Sequence, residues 1–297
     1  MLQRFDIKRN LKCAISLVVF GAASLSDALR RLFGKTTKPR CVVLYYHSIP
    51  AVQRTQFVNQ LEMIVRHATP IAVGDDVTLE PGKRYAGVTF DDGFENFFEI
   101  ASPELTKLHI PSTMFVIADA IGKAFGPQGR SEKVMSLEQI RALPVDLVTI
   151  GSHTSGHPFL PSLNEQDARN EITRSRIQIE ELLSRKIELF SFPFGGFNEK
   201  LVDVCRSAGY QRVFTTLPGF AFQDSREYVV GRVRVDPTDW PLEFRLKLAG
   251  AYGWLPKAFA IKRKIMSSIS TRSPLELEYL IDGSSGRHSV IEELGSR

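Results

Sequence analysis

The chain has 297 residues, enough for one α/β barrel of roughly 200 to 250 residues with short extensions. Its formal charge of +5 is modest, and the sequence contains no nucleic-acid-binding motif, so we expect no nucleic-acid partner. The three cysteines, Cys13, Cys41 and Cys205, are odd in number and far apart, which excludes a disulfide framework and a zinc knuckle. We expect free thiols.

Residues 1–37 combine a basic start with the pattern of an apolar helix. An apolar run begins at Cys13, and apolar residues recur at helical spacing from Leu11 to Leu32. The uninterrupted run is shorter than the roughly 20 residues that a membrane span needs. Three interpretations stay open: an amphipathic helix in a membrane surface, a signal peptide cleaved near 21–24, and a helix packed on the rest of the chain.

Between residues 41 and 235, short β-prone runs alternate with helix-like stretches. The predicted strands are 41–46, 85–90, 109–116, 147–150, 187–192, 212–216 and 228–235, and the predicted helices are 56–67, 95–108, 137–143, 165–183 and 201–208. This alternation predicts parallel βα units, and therefore an α/β barrel or an open doubly wound sheet. In a barrel the carboxyl ends of the strands meet on the face that carries catalysis.

Two adjacent carboxylates, Asp91 and Asp92, follow the predicted strand 85–90. If they are buried, they need a cation, a shared proton or hydrogen bonds, and the glycine after them allows a turn toward one site. The alternative is a solvated Asp-Asp-Gly turn. His47 and His153 also follow predicted strands directly, which favours one shared site.

His153 and His157 are four residues apart, and a helical turn or a tight loop with this spacing aims two imidazoles at one point. On its own, such a pair is more often an exposed loop feature. Together with Asp92, the pair makes a three-ligand set that leaves a coordination position for water, as in catalytic zinc sites. We therefore predict a metal site at Asp92, His153 and His157.

The polar groups around this predicted metal site favour amide hydrolysis. Asp91 lies next to the ligand Asp92 and is the candidate base for a metal-activated water. His47 is the candidate acid for the departing amine, and its alternative is a core histidine under a loop. The backbone N–H of Phe194, directly after Pro193, is the candidate oxyanion donor.

The stretch from Cys41 to Trp240 resembles the polysaccharide deacetylase family, also called the NodB-homology or carbohydrate esterase family 4 fold. Thr89–Gly93 is similar to its first motif, a catalytic base followed by a metal ligand, and His153–His157 is similar to its second, which supplies both metal imidazoles. The resemblance implies a distorted (β/α)7 barrel at 38–241 with terminal helical extensions. It also implies a metal, usually Zn2+ and sometimes Co2+ or Ni2+, and an N-acetylated polysaccharide or oligosaccharide substrate.

The third and fourth family motifs depart from the usual pattern. The third is normally Arg-x-Pro-Tyr, with an Arg that orients the catalytic Asp, but Ser191–Phe194 has neither the Arg nor the Tyr. Arg232 or Arg234 is the candidate replacement for that Arg. Asp239 and Trp240 resemble the fourth motif, whose Asp partners the Arg and whose Trp lines the acetyl pocket.

The fifth motif, a Leu-x-His near the carboxyl end, is missing, since His288 follows no predicted strand. Leu44–His47 instead resembles the amino-terminal His segment of a circularly permuted branch. That branch includes deacetylases of poly-N-acetylglucosamine and commonly lacks the motif-three Arg. The resemblance therefore implies His47 as the acid.

Residues 242–297 form the last predicted region. Leu242 to Ile265 mixes aromatic and basic residues, a pattern that fits an anionic membrane surface or a last helix packed on the barrel. Beyond Thr271 the chain is polar, and we expect it to be mobile.

The sequence thus predicts a metal-dependent hydrolase that removes N-acetyl groups from the amino sugars of a polysaccharide. We expect a membrane-associated protein of the cell envelope, or a secreted one if the amino-terminal helix is cleaved. Two other hypotheses stay open: a non-catalytic carbohydrate-binding module on the same fold, and an amidohydrolase acting on a lipid-linked sugar or a non-sugar amide.

Overall fold

The computed structural model describes residues 7–74, 77–126, 131–224 and 226–261. Its helices are α1 (Ile7–Leu32), α2 (Arg54–His67), α3 (Ser102–Lys107), α4 (Leu137–Arg141), α5 (Glu165–Leu183), α6 (Glu199–Ser207) and α7 (Pro241–Leu248). Its strands are β1 (Arg40–Tyr46), β2 (Thr69–Ile71), β3 (Arg84–Phe90), β4 (Ser112–Val116), β5 (Ala124–Phe125), β6 (Glu132–Lys133), β7 (Val148–Ser152), β8 (Leu189–Ser191), β9 (Arg212–Thr215), β10 (Val229–Gly231) and β11 (Val233–Arg234).

Parallel strands form a nearly closed barrel with helices around it. The strand order is β10-β9-β8-β7-β4-β3-β1-β11, and β2 adds to β3. The two edge strands of this order, β10 and β11, are separated by one residue, Arg232. Val230 is in register with Phe214 of β9, and Val233 with Leu44 of β1, so one extended segment closes the ring by changing neighbour at Arg232. The distorted (β/α)7 barrel is confirmed.

Alternate residues of β1 contribute to two different cores because successive side chains of a strand point to opposite faces. Val42 and Leu44 pack with the helices outside the barrel. Cys41 and Val43 pack inside it with Phe214. Burial on both faces explains why the strand sequence is almost continuously apolar instead of alternating.

The predicted alternation of strands and helices is confirmed, with small differences. The strand predicted from His109 begins at Ser112, because His109 has a φ of 51° and ends the preceding turn. β2 and the β5–β6 hairpin were not predicted, since elements of two or three residues are too short to show a periodic pattern. All three cysteines are free and buried, as predicted.

Helix α1 packs against α7 and the chain that follows it. Cys13 contacts a small core that includes Leu246 and Tyr252. Within the described residues, α1 is the one helix long and apolar enough to cross a membrane by length and composition, a test that signal sequences and core helices also pass. Residues 255–261 are helical up to the end of the description. The rest of the predicted carboxyl-terminal region, with its basic residues 262–264 and His288, lies outside the described residues.

Candidate active site

Two carboxylates lie where β3 ends and the chain turns. The Asp91 N–H donates to the Tyr46 carbonyl of the neighbouring β1 at 3.0 Å. Asp92 and Gly93 follow with φ values of 71° and 77°, so the chain turns sharply in the left-handed region. The Asp91 and Asp92 residues are only 3% and 8% exposed, which contradicts the alternative of a solvated turn.

Asp91 is bound from inside the barrel by Arg232. The two terminal guanidinium nitrogens donate to the two carboxylate oxygens, each at 2.8 Å. The same guanidinium donates to Thr89 Oγ1 at 3.0 Å and to Ser191 Oγ at 2.7 Å. Ser191 is the position at which the third family motif has its Arg. Of the two candidate replacements, Arg232 therefore contacts Asp91, whereas Arg234 is exposed.

The surroundings of Arg232 explain how a fully buried cation is stabilised. Its guanidinium carbon lies 4.7 Å from the ring centre of Tyr45, 5.3 Å from that of Phe115 and 5.9 Å from that of Phe214. The aromatic faces and the Asp91 carboxylate together replace the water that the cation gives up. A bidentate pair in this setting fixes the orientation of Asp91.

Asp92 faces the other way, toward the two imidazoles. Its Oδ1 lies 3.5 Å from His153 Nε2 and 3.4 Å from His157 Nε2. The ligand atoms of the three residues all lie within 4.8 Å of one another. In a tetrahedral site with bonds near 2 Å, ligand atoms are about 3.3 Å apart, so the observed spacing fits one shared ion.

The chemistry of Asp92 supports the same interpretation. Its Oδ1 is buried and accepts no hydrogen bond from any residue in the described part of the chain. A buried carboxylate oxygen of this kind needs a cation. Two imidazoles and one carboxylate suit a divalent metal ion. The three residues predicted as ligands thus fit a divalent metal.

The loop after β7 aims both histidines at Asp92. His153 Nδ1 donates to the Ser191 carbonyl at 2.8 Å, which leaves the Nε2 lone pair for an ion. Thr154 and His157 have φ values of 66° and 63°, and the His157 N–H donates to Thr154 Oγ1 at 2.9 Å. The pair therefore lies on a tight loop and not on a helical turn. Both imidazoles are buried or nearly so, unlike an exposed loop pair.

The two neighbouring carboxylates have pKa values shifted in opposite directions. Burial would raise the pKa of Asp91, but the charge and hydrogen bonds of Arg232 outweigh it and lower the value to about 2. Burial, followed by the negative charges of Asp91 and Glu132, raises the pKa of Asp92 to about 8. Burial lowers the pKa values of His153 and His157. At neutral pH the imidazoles are therefore neutral, and Asp92 holds a proton until a cation displaces it.

His47 and Phe194 lie close to this centre. His47 follows β1, and burial lowers its pKa to about 4, with the charge of Asp91 acting in the opposite direction. The Phe194 ring centre lies 4.7 Å from that of His157. Phe194 has a φ of 58° in the turn that begins at the buried Pro193. The structure thus brings together Asp91, Asp92, His153, His157, His47 and the Pro193–Phe194 turn.

Sequence reasoning missed one side of the site, the β5–β6 hairpin. Phe125 of β5 places its ring centre 5.3 Å from that of His157. Glu132 of β6 accepts hydrogen bonds from Ser48 Oγ at 2.5 Å and Asn96 Nδ2 at 3.0 Å. The hairpin is therefore joined to the loops that follow β1 and β3. The Gly-rich composition of 122–129 was the signal available in the sequence.

Asp239 and Trp240, the predicted pocket residues, make side-chain contacts with α1 and α7. Asp239 Oδ2 accepts from Lys247 Nζ at 2.7 Å, and its Oδ1 lies 3.8 Å from Arg9 Nη2. The Arg9 guanidinium lies 4.6 Å above the Trp240 ring. Both residues lie where α7 begins, beside Arg9 of α1. The hydrogen-bond partners of Arg232 are Thr215, Thr89, Asp91 and Ser191, so Asp239 is not its partner.

An α/β barrel that holds a three-ligand metal set beside an ionised carboxylate defines a metal-dependent hydrolase. A sequence model of the polysaccharide deacetylase family matches residues 78–213. The chain is 27% identical over 215 residues to YxkH of Bacillus subtilis, named as a candidate polysaccharide deacetylase, covering 68% of this chain and 74% of YxkH.

Two further similarities point the same way. Over 163 residues the chain is 24% identical to the poly-beta-1,6-N-acetyl-D-glucosamine N-deacetylase of Staphylococcus epidermidis, covering 52% of this chain and 55% of that enzyme. The solved structure of IcaB from Ammonifex degensii superposes with a TM-score of 0.62 and 26% identity, covering 73% of this chain and 100% of IcaB. The family model covers a little under half of the chain, and together with these relatives it shows that the chain is similar to polysaccharide deacetylases, which are hydrolases.

Proposed function

We propose that this protein removes N-acetyl groups from the amino sugars of a polysaccharide, with zinc at the site of Asp92, His153 and His157. The observation that supports this best is the buried Asp92 Oδ1, which has two imidazole nitrogens at 3.4 and 3.5 Å and no hydrogen bond from a described residue. Asp91 lies directly beside it and is ionised at neutral pH. A ligand set and a base in adjacent positions are what hydrolysis of an amide needs.

A divalent ion at this site would supply an activated water and polarise the acetyl carbonyl. The residues of the chain supply the rest. Asp91 accepts the proton of the attacking water, and Arg232 orients Asp91 through two hydrogen bonds. The backbone at Phe194 supplies an oxyanion donor next to the metal ligands.

His47 delivers a proton to the departing nitrogen. Its pKa of about 4 makes the free imidazole neutral at pH 7. A protonated Asp91, with a pKa of about 2, gives its proton up readily. We infer that the hydroxyl of the water adds to the acetyl carbon while its proton passes to Asp91, then to His47, and then to the sugar nitrogen as the C–N bond breaks. The products are acetic acid and a free amine, and the remaining acid proton is released to solvent as acetate forms.

The alternatives have less support in the molecule. A carbohydrate-binding module has no need of a carboxylate held ionised inside a barrel by a buried arginine. The similarity to a poly-N-acetylglucosamine deacetylase favours a sugar polymer over a non-sugar amide or a lipid-linked sugar. His47 at the end of β1 supports a place in the circularly permuted branch, and the apolar α1 supports work at the cell envelope beside a membrane.

Acetate release tests the proposal. Purified protein is stripped with a chelator, reloaded separately with Zn2+, Co2+ or Ni2+, and incubated with β-1,6- and β-1,4-linked N-acetylglucosamine oligomers. We expect acetate from at least one oligomer with metal and none after stripping. An Asp91→Asn variant keeps the metal ligands and loses the base, so it serves as the matched inactive form.

Two results would contradict the proposal. One is glycan binding without acetate release under every metal, which identifies a binding module. The other is equal acetate release by stripped and metal-loaded protein, which removes the metal from the reaction.

A further inference from the structure

Helix α1 has an amphipathic pattern opposite to that of an ordinary surface helix. Its polar contacts face the protein. Arg9 donates to Glu243 at 2.7 Å, Ser16 Oγ accepts from Trp254 Nε1 at 3.0 Å, and Asp27 accepts from Arg40 at 2.9 Å. These contacts recur along one face of the helix at intervals of two and three turns.

The opposite face of α1 is apolar and exposed. We call it the outer stripe, and it consists of Ile7, Leu11, Val18, Leu25, Leu29 and Leu32. Four of these residues follow one another at intervals of seven, which is two helical turns, so they form a straight line. A surface helix normally turns such a stripe toward the core.

The charges beside the outer stripe are basic. Asp27 is the one acidic residue of α1, and it is bound to Arg40 at 2.9 Å. At 100° per residue, Lys8, Lys12 and Arg30 follow one edge of the stripe. An apolar face with a basic border matches the boundary between acyl chains and anionic headgroups.

We propose that α1 stays attached to the folded protein and lies flat in the surface of an anionic lipid bilayer, with the outer stripe toward the acyl chains. The barrel then lies on the aqueous side. It is held by the opposite face of the same helix, the docking face, which carries Arg9, Ser16 and Asp27. This inference concerns where the protein is held and does not depend on which substrate it hydrolyses.

A membrane-crossing orientation does not fit these contacts. The docked residues Arg9 and Asp27 are eighteen positions apart, which is about 27 Å along a helix and nearly the thickness of a bilayer core. Both make ion pairs with the water-exposed domain. A spanning α1 would break at least one of these pairs.

Removal of α1 as a signal peptide would also disturb the domain. Asp239 and Glu243 are both buried and share Lys247, at 2.7 and 3.2 Å. Arg9 is the second cation of this group. Without Arg9, two buried carboxylates would share one ammonium, which is strongly unfavourable.

A second copy of the chain is a weaker occupant of the outer stripe than lipid. Two such helices side by side would bring their basic edges together, and α1 has no acidic residue left for pairs across the interface. Lipid phosphates supply the missing negative charge.

Vesicle sedimentation of the full chain tests the proposal, with vesicles of phosphatidylcholine alone and of phosphatidylcholine with an equal part of phosphatidylglycerol. We expect binding to the mixed vesicles that weakens with salt. Val18→Asp with Leu25→Asp should reduce binding about tenfold or more, because two charges enter the apolar face. The matched control is Val145→Asp with Val52→Asp, since Val145 and Val18 are both 72% exposed. The control should bind like the parent, and thermal melting shows that both variants fold.

A depth measurement separates flat from spanning helices. An environment-sensitive dye is attached at Leu11→Cys, Val18→Cys or Leu29→Cys in separate variants, and brominated lipids quench it. Equal, shallow depths at all three positions support the proposal, and a deep Val18 position with shallow ends overturns it.

Three further results would overturn the proposal. They are binding by the stripe variant equal to that of the control, a dimer in size-exclusion chromatography that the stripe variant abolishes, and an intact mass showing that the protein isolated from its host starts near residue 22. Acetate release from a soluble oligomer is measured in parallel and should not change in the stripe variant, so loss of membrane binding is distinguishable from loss of enzyme function.

Discussion

Asp91 and Asp92 are neighbours in the chain, but their carboxylates belong to two different regions of the molecule. Asp91 points into the barrel, where Arg232 and Ser191 complete its surroundings. Asp92 points into the loop region above the strands, where His153 and His157 face it. The pKa of the first is about 2 and that of the second about 8.

The difference teaches that burial alone does not decide the charge of a carboxylate. Both residues are buried, and burial raises the pKa of both. A fixed cation supplied by the protein reverses the effect at Asp91. At Asp92 the protein supplies neutral imidazoles instead, so the counter-charge has to come from outside. One region is complete as folded, and the other is built to receive an ion.

The largest effect on activity is expected from removing the carboxylate charge of Asp92. Asp92→Asn keeps the shape of the side chain but removes the carboxylate, so we expect loss of bound metal and about a thousandfold or greater loss of acetate release. Elemental analysis measures the bound metal, and a turnover assay measures acetate release. Asp203→Asn, at an exposed ion pair of 3.2 Å with Arg206, is the control. Full activity of the Asp92 variant would refute the assigned ligand set.

The second largest effect is expected inside the barrel, from replacing Arg232. Arg232→Met leaves Asp91 buried without its cation, and we expect about 3–5 kcal/mol less stability at pH 7. In the parent, the lowered pKa of Asp91 adds stability above the unfolded value of about 3.9, and this is lost as the pH falls through about 2. In the variant the pKa of Asp91 rises, so the acid side of the activity profile should move to higher pH.

Arg169→Met is the matched control for this change, because it breaks an exposed ion pair on α5, 3.7 Å from Glu165, in place of a buried one. Urea unfolding and the pH profile of kcat/KM measure both variants. If the Arg232 variant kept the parent's acid limb, Arg232 would not be the residue that holds Asp91 ionised.

A moderate effect is expected when pH changes at constant sequence. Metal binding must displace the proton of Asp92, whose pKa is about 8, whereas the histidines are already neutral. Between pH 6 and pH 8 the apparent metal affinity should therefore increase about tenfold for each unit by which the pH is raised. Chelator competition between pH 6 and 8 measures this slope. A flat dependence would mean that Asp92 is already ionised without metal.

The smallest effect is expected at Ser191. Ser191→Ala removes one 2.7 Å hydrogen bond from Arg232 but keeps the backbone carbonyl that His153 contacts. We expect about 1 kcal/mol less stability, a small drop in kcat and unchanged metal content. Ser207→Ala, on the exposed face of α6, is the control. A loss as large as that of Arg232→Met would show that Ser191 does more than support the guanidinium.

The sequence predicted the ion-binding region better than the barrel region, for a physical reason. Asp92, His153 and His157 lie directly after strands, and the order of strands and turns alone brings them to one face. Arg232 lies inside a strand-like run, and its direction depends on how that run divides between two neighbours. Sequence reasoning therefore named Arg232 and Arg234 together and had no means of separating them.

The placement of Asp239 and Trp240 could not be predicted because it depends on α1. Their similarity to a family motif suggested a pocket, but Arg9 and Lys247 occupy their surroundings. The β5–β6 hairpin was equally out of reach, since its strands have two residues each. Contacts between segments far apart in the chain leave no periodic signal.

The position of Arg232 at the single residue between β10 and β11 links chemistry to the order of folding. The last barrel segment must pair with both β9 and β1 before its guanidinium reaches Asp91. Before that pairing, Asp91 lacks the two hydrogen bonds that fix the orientation of its carboxylate. We therefore expect newly made protein to gain activity only after ring closure, and the onset of acetate release during refolding would time that final event.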